Sequence, residues 1–299
     1  MDHRTEIQQF LRSRRERLTP EKAGVPRHGG ERRVKGLRRE EVAQLVAVST
    51  DYYTRMERGN LAGVSSSVLE ALASALQLDE AERAHLLNLA SASNASTRGT
   101  SSRARRSSTR IVVREGVQRL LDSVNTPAYA RDHLGQVVAL NRLARALFSD
   151  VIREGEVGFN LPRYLFLDPR ARDFFPQWDE VARASVAGLR AEAGRNPFDQ
   201  GLTDLVGQLS TRSEEFRTWW ATYNVKPHVT ATKTMHHPVA GDIQLTGEAM
   251  NLSADPGLTV IIYTVEPGSS SEQALGFLAS WSATTSAAVA SGKAADPAI

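Results

Sequence analysis

The residues best suited to grip a charged polymer crowd into one stretch, LRREEVAQLVAVSTDYYTRMER at 37–58. Arginine carries a rigid fork of donors that fits a phosphate or the edge of guanine, and Thr, Asp and Tyr add short-range donors and acceptors. Thr50, Asp51, Tyr52 and Arg55 are the residues expected on bases, and Arg38, Arg39 and Arg58 those expected on phosphates. The competing chemistry is metal binding or catalysis by His228, His236 and His237 with Glu248. Adjacent His236 and His237 on an expected strand point to opposite faces, which leaves too few ligands for zinc. The chain has no cysteine, no phosphate-cradling glycine loop and no G-x-S-x-G turn. Thiolate sites are thereby excluded and the common enzyme signatures are missing, so no catalytic residue, metal or cofactor is expected.

The polar set needs a scaffold, and the flanking residues describe one. Leu37, Glu41, Val42 and Leu45 bracket a first short helix, with small Ala43 where two helices can cross closely. Residues 46–49 form a tight turn. Thr50 to Arg58 make a second helix with Tyr53 and Met56 three apart on its apolar side, and Gly59 stops it. Such a helix packs by one side and offers the other to a major groove, as in a helix-turn-helix. Residues 4–18 form an amphipathic helix with Ile7, Phe10, Leu11 and Leu18 inward and Arg12, Arg14, Arg15 and Arg17 outward. A serine among 65–67 caps a fourth helix, and Asp79 with Glu82 makes a capping box for a fifth. Five helices over residues 1–90 give a compact all-α domain.

Charge is divided unevenly. Residues 1–110 hold 20 Lys+Arg against 13 Asp+Glu, a net of +7, whereas the rest of the 299 residues carry −4. A basic first third on a mildly acidic remainder fits a nucleic-acid module joined to a regulatory one. Two segments lack apolar periodicity: the basic, Gly- and Pro-containing loop 19–36, and the Ser- and Arg-rich run 91–110, which reads as a flexible linker. Either is placed to touch phosphates. No apolar run approaches a membrane span or a signal core, so a cytoplasmic protein with no membrane partner is expected.

After the linker the pattern changes. TPAYARD and QVVALN read as strands around His133-Leu134-Gly135, NRLARALFSD as a helix, and 170–194 and 199–222 as long helical patterns. VTATKTMHHP, GDIQLTGEAMNL and LTVIIYTVEP read as three further strands before a closing helix SSEQALGFLASW. That order is one of a PAS-like sheet with helices over one face, and residues 281–299 read as a disordered tail. Aromatic residues gather in the helical insert between Phe159 and Tyr223; most belong to a core, and some are candidates to line a pocket.

The run LRREEVAQLVAVSTDYYTRMERGN followed by VLEALASALQLDEAERAHLLNLA resembles the xenobiotic-response-element helix-turn-helix, related to Cro and lambda repressor. LRREEVA, DYYTRMERG and, further on, TPAYARD, VVALNRLARALF, FLDPRARDFFPQWDEVARASVAGLRAEAGRNP, SEEFRTWWATYNV, HHPVAGDIQL and VIIYTVEPGS resemble the MmyB-like transcription regulators, in order over roughly residues 4–280. One departure is Ala47, where the turn often carries Gly; a positive φ there costs an alanine about 1 kcal/mol. The resemblance implies an α+β chain: a five-helix helix-turn-helix domain at 1–90, a linker at 91–110 and a PAS-like ligand-binding domain at 111–280. It implies a DNA-binding one-component regulator, a repressor by expectation, that answers to a small apolar or fatty-acid-like ligand; one recognition helix reads only a few base pairs, so a homodimer on an inverted-repeat operator is expected. Phe166, Phe175, Trp178 and Trp219 are the expected ligand contacts, with Arg142 and His228 as polar anchors. The alternative from another class is a metal-binding or enzymatic C-terminal domain carrying a helical partner-binding module.

Overall fold

A computed structural model describes residues 3–25, 36–97, 113–153, 155–222 and 230–292. The chain forms two compact units, one of residues 1–109 with 186–227 and the other of 110–185 with 228–299.

Unit 1 starts with five helices, α1 (His3–Arg17), α2 (Arg39–Val46), α3 (Thr50–Glu57), α4 (Ser66–Ala75) and α5 (Glu80–Thr97). Their apolar stripes meet in one core that includes Ile7, Phe10, Leu11, Val42, Tyr53, Met56, Leu72 and Leu86. Local capping sets the helix starts: Ser49 accepts from the Tyr52 N–H, Ser65 from the Val68 N–H, and Asp79 and Glu82 exchange bonds as a capping box. The turn between α2 and α3 passes through Ala47 at φ 58°, ψ 44°, the left-handed conformation that strains any residue with a Cβ. Gly59, at φ 92°, lets the chain leave α3 against α1, where a Cβ would lie 2.4 Å from the Arg4 carbonyl oxygen.

Two expectations change here. Arg14 and Arg15 point inward: they are almost fully buried, because Glu82 and Glu57 face α1 from α5 and α3 and take up their charge. The expected linker start at residue 91 also moves, since α5 continues to Thr97.

Unit 1 is completed by helices from much later in the sequence. α10 (Trp178–Arg195) belongs to it from Val186 onward, followed by α11 (Gln200–Arg212) and α12 (Glu214–Ala221). Ala191 packs on the helix-turn-helix core, and Gly194 backs onto His85 so closely that a Cβ would sit 2.1 Å from its Nδ1. This grouping differs from the linear division expected from the sequence, in which 111–280 folds as one body.

Unit 2 holds α6 (Glu115–Asp122), α7 (Arg142–Leu147), α8 (Leu161–Leu167), α9 (Ala171–Phe174), α13 (Ser270–Gly292) and the strands β1 (Ala128–Arg131), β2 (Val137–Leu140), β3 (Thr230–His237), β4 (Gly241–Asn251) and β5 (Thr259–Thr264). The strands form one antiparallel sheet in the order β2-β1-β5-β4-β3, which makes the chain α+β. Strand alternation gives the sheet two faces. Ala128, Ala130, Ala139 and Val260 pack on Val117 and Leu121 of α6. The opposite face carries Tyr129, Tyr263, Leu245 and Met235, and Tyr129 meets Phe148, which in turn meets Phe159 and Phe174. α13 lies on α7 and β4, burying Leu275, Leu278 and Ser282. It reaches Gly292, past the expected start of a disordered tail at residue 281.

Candidate functional site

The solvent face of α3 collects the polar residues that the sequence singled out. Tyr53 and Met56 are fully buried, which fixes the helix register and turns the intervening positions outward. Thr50, Asp51, Arg55 and Arg58 are exposed and Tyr52 is half-buried. The Arg55 guanidinium lies 5.1 Å from the Tyr52 ring centroid, so a cation–π contact holds it against the helix surface. Arg55, Arg58, Asp51, Thr54, Asn60 and Arg4 line an open depression of about 310 Å³. Arg4 was not legible as part of this face, because only the close approach of α1 to Gly59 brings it there.

Arg38 and Arg39 are placed differently from one another. Arg38 precedes α2, is exposed, and lies 3.4 Å from Glu40; its backbone N–H is capped by Glu41 at 2.7 Å. Arg39 is half-exposed and donates to both oxygens of buried Glu57, at 3.1 and 3.3 Å. Arg15 grips the same carboxylate at 2.8 and 3.2 Å. Burial pushes the Glu57 carboxyl up, but the hydrogen bonds from Arg15 and Arg39 outweigh it and hold it below its ordinary value. This pair of arginines therefore fixes the end of α3 from behind while its outer face stays free for a partner.

A second buried ion pair joins α1 to α10. Arg190, 1 % exposed, donates through one nitrogen to both oxygens of Glu6, at 2.8 and 2.9 Å. Its other nitrogen bonds the Trp220 carbonyl, and the guanidinium lies 3.8 Å from the Trp220 ring centroid. His85 sits beside Glu6 at 3.8 Å. Burial first, then Arg190 and Arg14, push the His85 ring down to about 3, so it is neutral at ordinary pH.

In unit 2 the expected ligand residues only partly converge. Phe166 and Trp178 meet edge to face at 5.8 Å, Arg172 covers the Trp178 ring at 3.8 Å, and buried Phe175 contacts Tyr164. Trp219 is on α12, in unit 1. Arg142 is exposed at the start of α7, and His228 lies outside the described residues. His237 is fully buried: its Nδ1 accepts from the Val239 and Ala240 N–H groups, and its Nε2 donates to the Ala146 carbonyl at 3.2 Å. His236 is exposed and pairs with Asp242 at 2.6 Å. Among the described residues no three His, Asp or Glu side chains converge as a metal site would require.

A model of the helix-turn-helix domain matches residues 8–86, and one of the MmyB-like transcription regulator ligand binding domain matches residues 113–278. The chain belongs to the MmyB-like transcription regulators. No curated protein matches it. Its two matched domains make it a DNA-binding transcription regulator with a domain for a small molecule. Among the described residues, no helix of this regulator is long and apolar enough to cross a membrane.

Proposed function

We propose that this regulator is a repressor that binds an inverted-repeat operator as a homodimer and responds to a small apolar, fatty-acid-like effector held in a PAS-like unit 2. The observation that carries the DNA half is the α3 face: a buried Tyr53 and Met56 behind exposed Thr50, Asp51, Arg55 and Arg58 and half-buried Tyr52. One recognition helix reads only a few base pairs, so useful affinity requires two, about 34 Å apart. Arg55 reads bases, while Arg38, Arg58 and Arg4 sit at phosphates. The aromatic cluster of Phe166, Phe175 and Trp178, together with the strand order, supports an apolar pocket on the helix-covered face of the sheet. Trp178 opens α10 and Arg190 lies toward its other end, so a ligand that shifts the start of this helix acts on the Glu6 contact without relying on the linker.

Fluorescence anisotropy with promoter and random duplexes tests the DNA reading in the full chain. Arg55→Ala is expected to cost about 1–3 kcal/mol on the operator and far less on random DNA. Arg4→Gln is expected to weaken both and to lower the salt slope by about 1. Equal losses on both duplexes for Arg55→Ala remove it from base readout, and absence of any operator preference in the parent protein overturns the proposal.

A further inference from the structure

The sheet face toward α7 and α9 is apolar except at His237 and around Lys233. Lys233 on β3 shares the inward parity of buried Met235 and His237, and its ammonium reaches toward the middle of the sheet, 5.6 Å from the ring centroid of Tyr263. Tyr263 can lean that way because its partner across the β4–β5 ladder is Gly247; a Cβ there would sit 2.8 Å from the ring. Tyr129 lies beside it with ring centroids 6.0 Å apart. Arg131 follows on the same face of β1, at the point where the ladder with β2 slips register, and its buried Nε has no hydrogen-bond partner. Such bulges re-aim a side chain and are common beside functional sites.

Two half-buried cations thus stand by two buried tyrosines on this face. Among the described residues neither Lys233 nor Arg131 has an ion-pair partner; the acid next in sequence, Asp132, commits its Oδ1 to the N–H groups of Leu134 and Gln136. Burial above all lowers the Lys233 pKa, and burial raises Tyr263 to about 12 and Tyr129 also upward, so both phenols stay protonated donors. The two phenols share a hydrogen bond, whereas the Lys233 ammonium and the Arg131 Nε beside them are costly in a dry site and favourable once an anion fills it.

We propose that Lys233, Arg131, Tyr129 and Tyr263 form the head-group site of the ligand domain, and that its ligand is an amphipathic molecule ending in one carboxylate-sized anion. The assignment rests on the pocket reading above and adds to it the charge and position of the head group. It moves the anchor inward from exposed Arg142.

The test is calorimetric titration of the full-length protein with decanoate and with its neutral counterpart 1-decanol, in parent, Lys233→Met, Arg131→Gln and Tyr263→Phe forms. Decanoate is expected to bind at least about tenfold more tightly than decanol, the worth of one charge-assisted hydrogen bond. That preference is expected to vanish in Lys233→Met and to shrink in the other two, with decanol affinity unchanged. Tyr263→Phe keeps the ring and its packing, so it still reports if Lys233→Met misfolds. Equal binding of the two compounds by the parent, or a preference that survives all three substitutions, overturns the head-group site and leaves the pocket standing. Binding of neither compound overturns both.

Discussion

The interiors of the two units treat charge in opposite ways. In unit 1 buried acids and arginines meet one another: Glu57 with Arg15 and Arg39, Glu82 with Arg14 and Arg17, and Glu6 with Arg190. In unit 2 the inward cation Lys233 and its neighbour Arg131 meet tyrosines and, among the described residues, no acid. A satisfied buried ion pair fixes geometry, because losing one partner strands the other in low dielectric. An unmatched cation has no such structural use and costs stability, so it persists where something else supplies the counter-charge. The contrast separates the framework that aims α3 from the sheet face that carries the proposed head-group site.

Charge removal should therefore have opposite signs in the two places. The largest effect is expected for Glu57→Gln, which leaves Arg15 buried without its anion. A loss of about 3 kcal/mol is expected in urea unfolding monitored by far-UV circular dichroism; a loss below about 0.5 kcal/mol would make the Glu57 hub ornamental.

The next effect is a pH dependence. The folded-state pKa of His85, near 3, lies below the ordinary 6.5, so the unfolded chain binds the extra proton. The stability His85 contributes is complete above pH 6.5 and declines as pH falls towards 3. Between pH 7 and pH 5 the parent should lose about 2 kcal/mol that His85→Gln does not lose. Glu57 has the same sign but acts lower: its contribution is full above its ordinary value of 4.5 and disappears only as pH falls through its depressed value. Equal slopes for parent and His85→Gln would mean that the ring is solvated and charged in the native state.

The smallest effect has the other sign. Lys233→Met should raise the stability of the ligand-free protein by about 1 kcal/mol, since it removes an unpaired, desolvated charge and keeps the stem. Thermal unfolding without added ligand reads this out, and a clear destabilisation would mean that Lys233 already has its partner.

The reading face was legible because one helix encodes it. Tyr53 and Met56 are three apart in sequence, so period alone sets which residues of α3 face out. The strands around His133-Leu134-Gly135 and the three later ones were legible for the same local reason. The inward turn of Arg14 and Arg15 was not: on a helical wheel both look solvated, and the acids that claim them are supplied by α5 and α3. Arg190 and Glu6 are 184 residues apart, and no local pattern announces a bond over that distance, so the packing of α10–α12 with the first helices could not be read. Lys233 did leave a trace. It alternates with buried Met235 on β3, and that parity was the available signal for an inward cation.

The claim that Lys233 serves an anionic head group is most directly tested on Lys233 itself. The sequence has five lysines, so nuclear magnetic resonance of protein carrying lysine labelled at the ε-carbon, assigned with Lys233→Met, follows this ammonium through a pH titration. Its midpoint should lie below the ordinary 10.5 in the ligand-free protein and rise when decanoate is added, while 1-decanol leaves it in place. A midpoint at the ordinary value, or one that decanoate does not move, contradicts the account.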